Sequence, residues 1–226
     1  MKRREFLALL GSTPAWPLAA GAQQQAVPVV GFLGSESPAQ SASLLPFFRE
    51  GLGELGFVEG QNVWIDYRWA EGRNDRLPAL AADLVRREVS VIAAPATTPG
   101  ALAAKAATAN IPIIIFTAGD PVALGLVASL NMPGGNVTGT TSLAGELAPK
   151  RLELLREVIP TASAMALLIN PTNPVLMAST TNDAQAAARI LGIGLHIIEA
   201  GTEREFDDAF ARLAQLKAPG LVIAVD

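Results

Sequence analysis

Short apolar runs of strand length alternate with helical stripes along almost the whole sequence, and this alternation restricts the fold more than any other feature. Residues 27–34 (VPVVGFLG) read as a strand, residues 44–55 as a helix with Phe48, Leu52 and Leu55 on one stripe, and residues 63–67 as a second strand. Leu77, Leu80, Ala81, Leu84 and Val85 then keep the i, i+3, i+4, i+7, i+8 spacing of a half-buried helix. A third strand (89–94), a small-residue helix (100–109) and a fourth strand (111–116) follow. Beyond Gly139 the same grammar restarts: a helix carrying Leu152, Leu155 and Ile159, a strand at 164–169, an alanine-rich helix at 178–191, a strand at 195–198, a helix carrying Phe206, Ala209, Phe210 and Leu213, and an apolar run at 220–225. Continuous apolar strands separated by helices demand parallel sheets covered on both faces and joined by right-handed crossovers. The expectation is an α/β fold of two doubly wound lobes, 23–139 and 140–226, with the boundary near residues 134–145, where Gly and Thr concentrate. The last strand ends at Asp226 with no helix after it, so the second lobe is expected to be incomplete.

Composition narrows the classes of partner. Half of the residues are apolar, 17% are charged, and the net charge is −4 with no block of like charge, which speaks against a nucleic-acid footprint. There is no cysteine, so disulfides, thiolate metal sites and cysteine nucleophiles are excluded. Residues 1–22 have the layout of an export signal: Lys2-Arg3-Arg4, an apolar stretch from Phe6, and Ala20-Gly21-Ala22 as a cleavage site after Ala22. Arg3-Arg4-Glu5-Phe6-Leu7 resembles a twin-arginine signal, and an ordinary secretory route stays open beside it. Pro14 and Pro17 interrupt a run shorter than the ~20 apolar residues of a membrane span.

In open parallel sheets ligands bind beyond the carboxyl ends of the strands, where helix N-termini present N–H groups and partial positive charge. Four strand ends here share one design: Ser35-Glu36-Ser37-Pro38, Ala96-Thr97-Thr98-Pro99-Gly100, Gly119-Asp120-Pro121 and Asn170-Pro171-Thr172-Asn173-Pro174. Each sets a hydroxyl, amide or carboxylate side chain beside a proline that can occupy a first helical turn, so each is expected to cap a helix. Capping alone accounts for any one of them; their recurrence points to a polar ligand. Thr97 and Thr98 suit a carboxylate, and Glu36 or Asp120 suits an amine.

Enzymatic signatures are missing. His196, the single histidine, reads as a strand residue, and no Walker sequence, GxGxxG loop or GxSxG elbow occurs. Asp207 and Asp208 read as a solvated helix face, and Trp64 and Trp69 as packing residues. No cofactor is expected.

Tyr67-Arg68-Trp69-Ala70-Glu71-Gly72, Ala96-Thr97-Thr98-Pro99, Asp120-Pro121-Val122 with Gly125-Leu126-Val127, and Pro133-Gly134-Gly135-Asn136-Val137-Thr138-Gly139 together resemble the substrate-binding proteins of ABC importers, in the type I periplasmic-binding-protein group that includes aromatic amino-acid binders. The resemblance spans nearly all of the chain after residue 22. It implies a periplasmic, non-enzymatic protein whose two lobes close on a small-molecule solute and dock on an ABC permease in the inner membrane. Carried over residue by residue, it implies contacts from Ser35, Thr97, Thr98 and Asp120 in the first lobe and Asn170 and Asn173 in the second, with Asp226 at a further strand end. Family members continue for roughly another third of this length. A ligand-sensing domain, a hydrolase on the same fold, and an inactive truncated remnant are the alternatives.

Overall fold

A computed structural model of the chain describes residues 27–95 and 97–225; the expected export signal and Asp226 lie outside the described residues. Among the described residues eight strands form two parallel sheets. The first contains β1 (Val29–Gly34), β2 (Trp64–Trp69), β3 (Val91–Ala94), β4 (Ile113–Thr117) and β5 (Val137–Thr141) in the order β2-β1-β3-β4-β5. The second contains β6 (Ala164–Ile169), β7 (Gly194–Glu199) and β8 (Leu221–Ile223) in the order β7-β6-β8. The α-helices among the described residues are α1 (Leu45–Glu54), α2 (Leu77–Arg86), α3 (Thr98–Ala107), α4 (Ala148–Val158), α5 (Pro174–Leu191) and α6 (Glu203–Leu216). The expected α/β class with parallel sheets is therefore observed.

The apolar stripes explain the layers. Leu77, Ala81 and Leu84 of α2 and Ala101 and Ala104 of α3 pack with Leu33, Ile92, Ile113, Ile115 and Val137 on one face of the first sheet. Gly31 admits this approach, because a Cβ there would stand 2.9 Å from Leu84 Cδ2. On the opposite face Phe48 of α1 meets Val30, Val63 and Ala93, and its ring lies edge-on to Phe32 at 5.4 Å. In the second sheet, Leu152 of α4 and Ala184 and Ala188 of α5 cover Met165, Leu167 and Ile169, while Ala209 and Leu213 of α6 cover Ala166, Leu168 and Ile198.

The structure corrects two expectations. Residues 137–141, read as part of a lapse in the pattern, form β5, which pairs with β4 from Ile113↔Val137 to Thr117↔Thr141. Gly139 permits that pairing: its φ is +154°, and a Cβ there would fall 2.0 Å from the Ile115 carbonyl oxygen. Trp64, expected to pack, is 54% exposed, whereas Trp69 does pack, with its ring over Gly34 and 5.1 Å from that of Phe32. His196 is in β7, and Asp207 and Asp208 are exposed on α6, as the sequence pattern indicates.

Candidate functional site

Strand order selects the place to look. The order β2-β1-β3-β4-β5 reverses direction between β1 and β3, and β7-β6-β8 reverses between β6 and β8. At such switch points the two outgoing loops diverge and leave a crevice beyond the strand ends. Ser35 follows β1 and Thr97 follows β3, and their hydroxyls are hydrogen-bonded to each other. Asn170 follows β6, and Ala224 and Val225 follow β8.

Loops beyond the two sheets touch one another. Asn74, in the turn beyond β2, donates its side-chain amide to the Thr172 carbonyl beyond β6 at 3.0 Å. Leu176, in the first turn of α5, lies against Gly119 beyond β4 and Gly145 beyond β5, so close that a Cβ on either glycine would stand 3.2 and 2.9 Å from its Cδ1. Loops at the carboxyl ends of both sheets thus meet, which brings the two switch points to the same side of the contact.

The candidate residues divide by what their side chains already do. Thr97 caps α3, its hydroxyl accepting the Gly100 N–H at 3.4 Å, and Asn173 caps α5 by accepting the Leu176 N–H at 3.4 Å. Pro99 and Pro174 fill the opening turns of those helices, as expected. The other two strand ends cap no α-helix, contrary to expectation. After Ser35-Glu36-Ser37-Pro38 the chain makes a short 3₁₀ turn, Gln40–Ser43, without a side-chain cap; Ser37 instead exchanges hydrogen bonds with Gln40. Glu36 accepts from the buried Ser41 hydroxyl at 3.2 Å. Asp120 accepts from the Val122 N–H at 2.8 Å in a local turn, because the chain after Pro121 turns through Gly125 at φ +67° and never propagates a helix.

Thr98 is 3% exposed, and its hydroxyl points inward to that of Thr117 at 3.0 Å. Any contact from Thr98 toward the crevice therefore comes from its backbone. Thr117 also accepts the Gly119 N–H at 3.3 Å, and Thr141 donates to the Gly119 carbonyl at 2.9 Å. This hydroxyl scaffold, which sequence reasoning missed, fixes the β4 loop from three strand ends. Asn170 accepts from the Thr172 N–H and hydroxyl at 2.9 and 2.8 Å. Asn170, Asn173 and Thr180 border a cavity of about 10 Å³ with Ala224 and Val225, room for about one water. Asp226 lies outside the described residues.

The candidate groups at these strand ends are hydroxyls, amides and two carboxylates, a set able to accept from an ammonium and donate to a carboxylate. The Trp69 ring lies over Gly34, the residue before Ser35, and stacks at 6.0 Å on that of Tyr67, whose hydroxyl accepts from Arg49 of α1 at 3.0 Å, giving this end of the sheet an aromatic flank. Burial raises the Tyr67 phenol above its ordinary pKa, so it stays neutral at physiological pH. Among the described residues no group of three or more His, Cys, Asp or Glu could hold a metal ion, and no helix is long and apolar enough to cross a membrane.

Comparison with known proteins identifies a family and a shared fold. The family model for ABC transporter substrate binding proteins matches residues 36–218. A tyrosine-binding protein of Clostridioides difficile (strain R20291) is 37% identical over 123 residues, which are 54% of this chain and 35% of that one. Among solved structures, a conserved domain protein from Vibrio cholerae is similar with a TM-score of 0.74 at 26% identity, covering 86% of this chain and 64% of its own. A Streptococcus pneumoniae ABC domain in complex with L-Trp shares the fold, with a TM-score of 0.72 at 22% identity over 88% and 65% of the two chains. The chain therefore spans about a third of the curated relative and just under two thirds of these structures. Members of the matched family are binding proteins rather than enzymes, and this chain belongs to the ABC transporter substrate-binding protein family.

Proposed function

We propose that the chain is the solute-binding component of an ABC importer and holds an amino acid, with tyrosine the first candidate, between the facing strand ends of its two sheets. The observation that carries this reading is the opposition of two switch points lined by uncharged hydrogen-bonding groups, Ser35 and Thr97 on one side and Asn170 on the other. Stretches of low charge suit a zwitterion: hydroxyls and helix N–H groups for its carboxylate, Glu36 or Asp120 for its ammonium, and the Tyr67–Trp69 flank for a ring. The tyrosine-binding relative supports the ligand class.

The proposed mechanism is differential affinity. A solute that touches both lobes binds the closed arrangement more tightly than the open one and shifts the population toward closure, which a permease in the inner membrane then recognises. Export to the periplasm through residues 1–22 belongs to the same proposal, as does the absence of turnover. Isothermal titration of the purified chain with L-tyrosine tests it: the reading predicts saturable binding, with L-tyrosine recovered unchanged by mass spectrometry. No binding of L-tyrosine, L-tryptophan or L-phenylalanine at millimolar concentration would overturn the ligand class, and conversion of the ligand would overturn the non-enzymatic role.

A further inference from the structure

Among the described residues, two contacts between the loops of the sheets lie at opposite sides of the first sheet, beyond β2 and beyond β4 and β5, while their partners Thr172 and Leu176 are only four residues apart. Near the crossing from β5 to α4, the Leu176 side chain, 5% exposed, fills a socket floored by Gly119 and Gly145. The socket is tied together by the Gly145 N–H, which donates to the Ala118 carbonyl at 2.9 Å, and by Thr141, which donates to the Gly119 carbonyl. Far from that crossing in sequence, Asn74 reaches from the loop after β2, the outer strand of the first sheet, to the Thr172 carbonyl.

Both partners of the second contact are held in place by their own lobes. Thr172 is fixed by its two hydrogen bonds to the Asn170 side chain, and Gly201 packs beneath this pair so tightly that a Cβ would stand 2.9 Å from Asn170 Oδ1 and from Thr172 Cγ2. Asn74 opens the 3₁₀ turn Asn74–Arg76, which is braced by Arg76 reaching Glu71 at 3.2 Å and the Ala70 carbonyl at 3.4 Å. A single donor and a single acceptor thus meet across the gap on rigid supports, with no charged group in the bond.

We infer that Asn74 is a latch that sets solute affinity without touching solute: its bond to the Thr172 carbonyl holds the lobes closed while Leu176 in its glycine socket serves as the pivot. The latch deepens the binding reading given above, since the apparent dissociation constant equals the intrinsic one divided by the fraction of chain in the closed arrangement. Losing one uncharged hydrogen bond that exists only in that arrangement lowers the closed-to-open ratio by about 2- to 10-fold. Asn74→Ala removes the donor. Asn74→Asp keeps the side chain's size and sets an acceptor against the Thr172 carbonyl, so its effect is at least as large.

The test uses the absence of cysteine in the chain. Nitroxide labels on Glu50→Cys in α1 and Asp183→Cys in α5, both exposed, report the interlobe distance by pulsed electron resonance without any ligand. Both Asn74 substitutions are expected to shift the distance distribution toward longer separations, and to raise the dissociation constant for L-tyrosine by at most about 10-fold, the factor shrinking as the closed fraction of the unsubstituted chain approaches one. Distance distributions identical to that of the unsubstituted labelled chain would overturn the latch. A clear shift in distance, with no L-tyrosine binding to any version of the chain, would support the latch and overturn the ligand assignment instead.

Discussion

In β4 of the first sheet, Ile113 and Ile115 are 0% and 4% exposed, while Ile114 and Phe116 on the opposite face of the same strand are 45% and 43% exposed. In β6 of the second sheet, Met165, Ala166, Leu167 and Leu168 all lie at or below 5% although they alternate between two faces. The larger sheet is thus covered fully on one side and partly on the other, since α1 reaches only the β2–β1–β3 portion and buries none of its own residues completely. The smaller sheet is covered on both sides by α4, α5 and α6. The difference teaches that burial here follows helix coverage rather than strand number, and that the central strand of the three-stranded sheet carries a disproportionate share of that sheet's core.

Substitutions of similar chemistry in the two strands would break that comparison most directly. Leu167→Ala empties a fully buried position on β6 and is expected to destabilise the chain by about 2–5 kcal/mol. Ile114→Ala removes a side chain that is nearly half in water, and its cost is expected to stay within about 1 kcal/mol. Urea denaturation followed by circular dichroism measures both. Equal losses would show that the exposed face of β4 is buried in solution and that the contrast between the sheets is wrong.

A smaller effect sharpens the electrostatic side of the same comparison, because the ion pairs of the first sheet gather on its β2 edge. Arg68 of β2 holds Asp83 of α2 at 2.8 Å, with Arg87 and Arg86 at 2.9 and 2.7 Å. Hydrogen bonds first from Arg68 and then from Arg87 pull the Asp83 carboxyl down to about 2 from its ordinary 3.8. A carboxyl depressed in the folded state adds stability above its unfolded pKa and loses that contribution as the pH falls through the folded value. The loss therefore falls between about pH 4 and pH 2. Asp83→Asn is expected to flatten the decline of stability across that window, read from urea midpoints at pH 4 and pH 2. The effect stays small because the network is solvent-accessible.

Sequence and structure agree where local chemistry decides the outcome. The alternation of apolar runs and stripes revealed seven of the eight strands, because a buried parallel strand must be apolar throughout. Residues 137–141 escaped notice because Val-Thr-Gly-Thr-Thr has one apolar side chain, and only that one, Val137, needs burial at the sheet edge. Thr97 and Asn173 were legible as caps because proline follows at the helix start, whereas Asp120-Pro121 carries the same signal and leads only into a turn. What distinguishes them is the sequence after the proline: Thr98-Pro99-Gly100 continues into Ala and Leu, and Pro121 runs within four residues to a glycine with positive φ. The inward turn of Thr98 onto Thr117 and the bond from Asn74 to Thr172, 98 residues apart, depend on sheet order and lobe placement, which no local pattern encodes.

The central claim is that one solute is gripped from both sheets at once, and calorimetric titration of L-tyrosine into the unsubstituted chain, Ser35→Ala and Asn170→Ala tests it most directly. Ser35 and Asn170 stand at the switch points of different sheets. A solute spanning the gap loses a hydrogen bond or its supporting geometry in either variant, and both dissociation constants are predicted to rise by about 5-fold or more. Weakening in only one variant, or in neither, would contradict a site shared between the lobes.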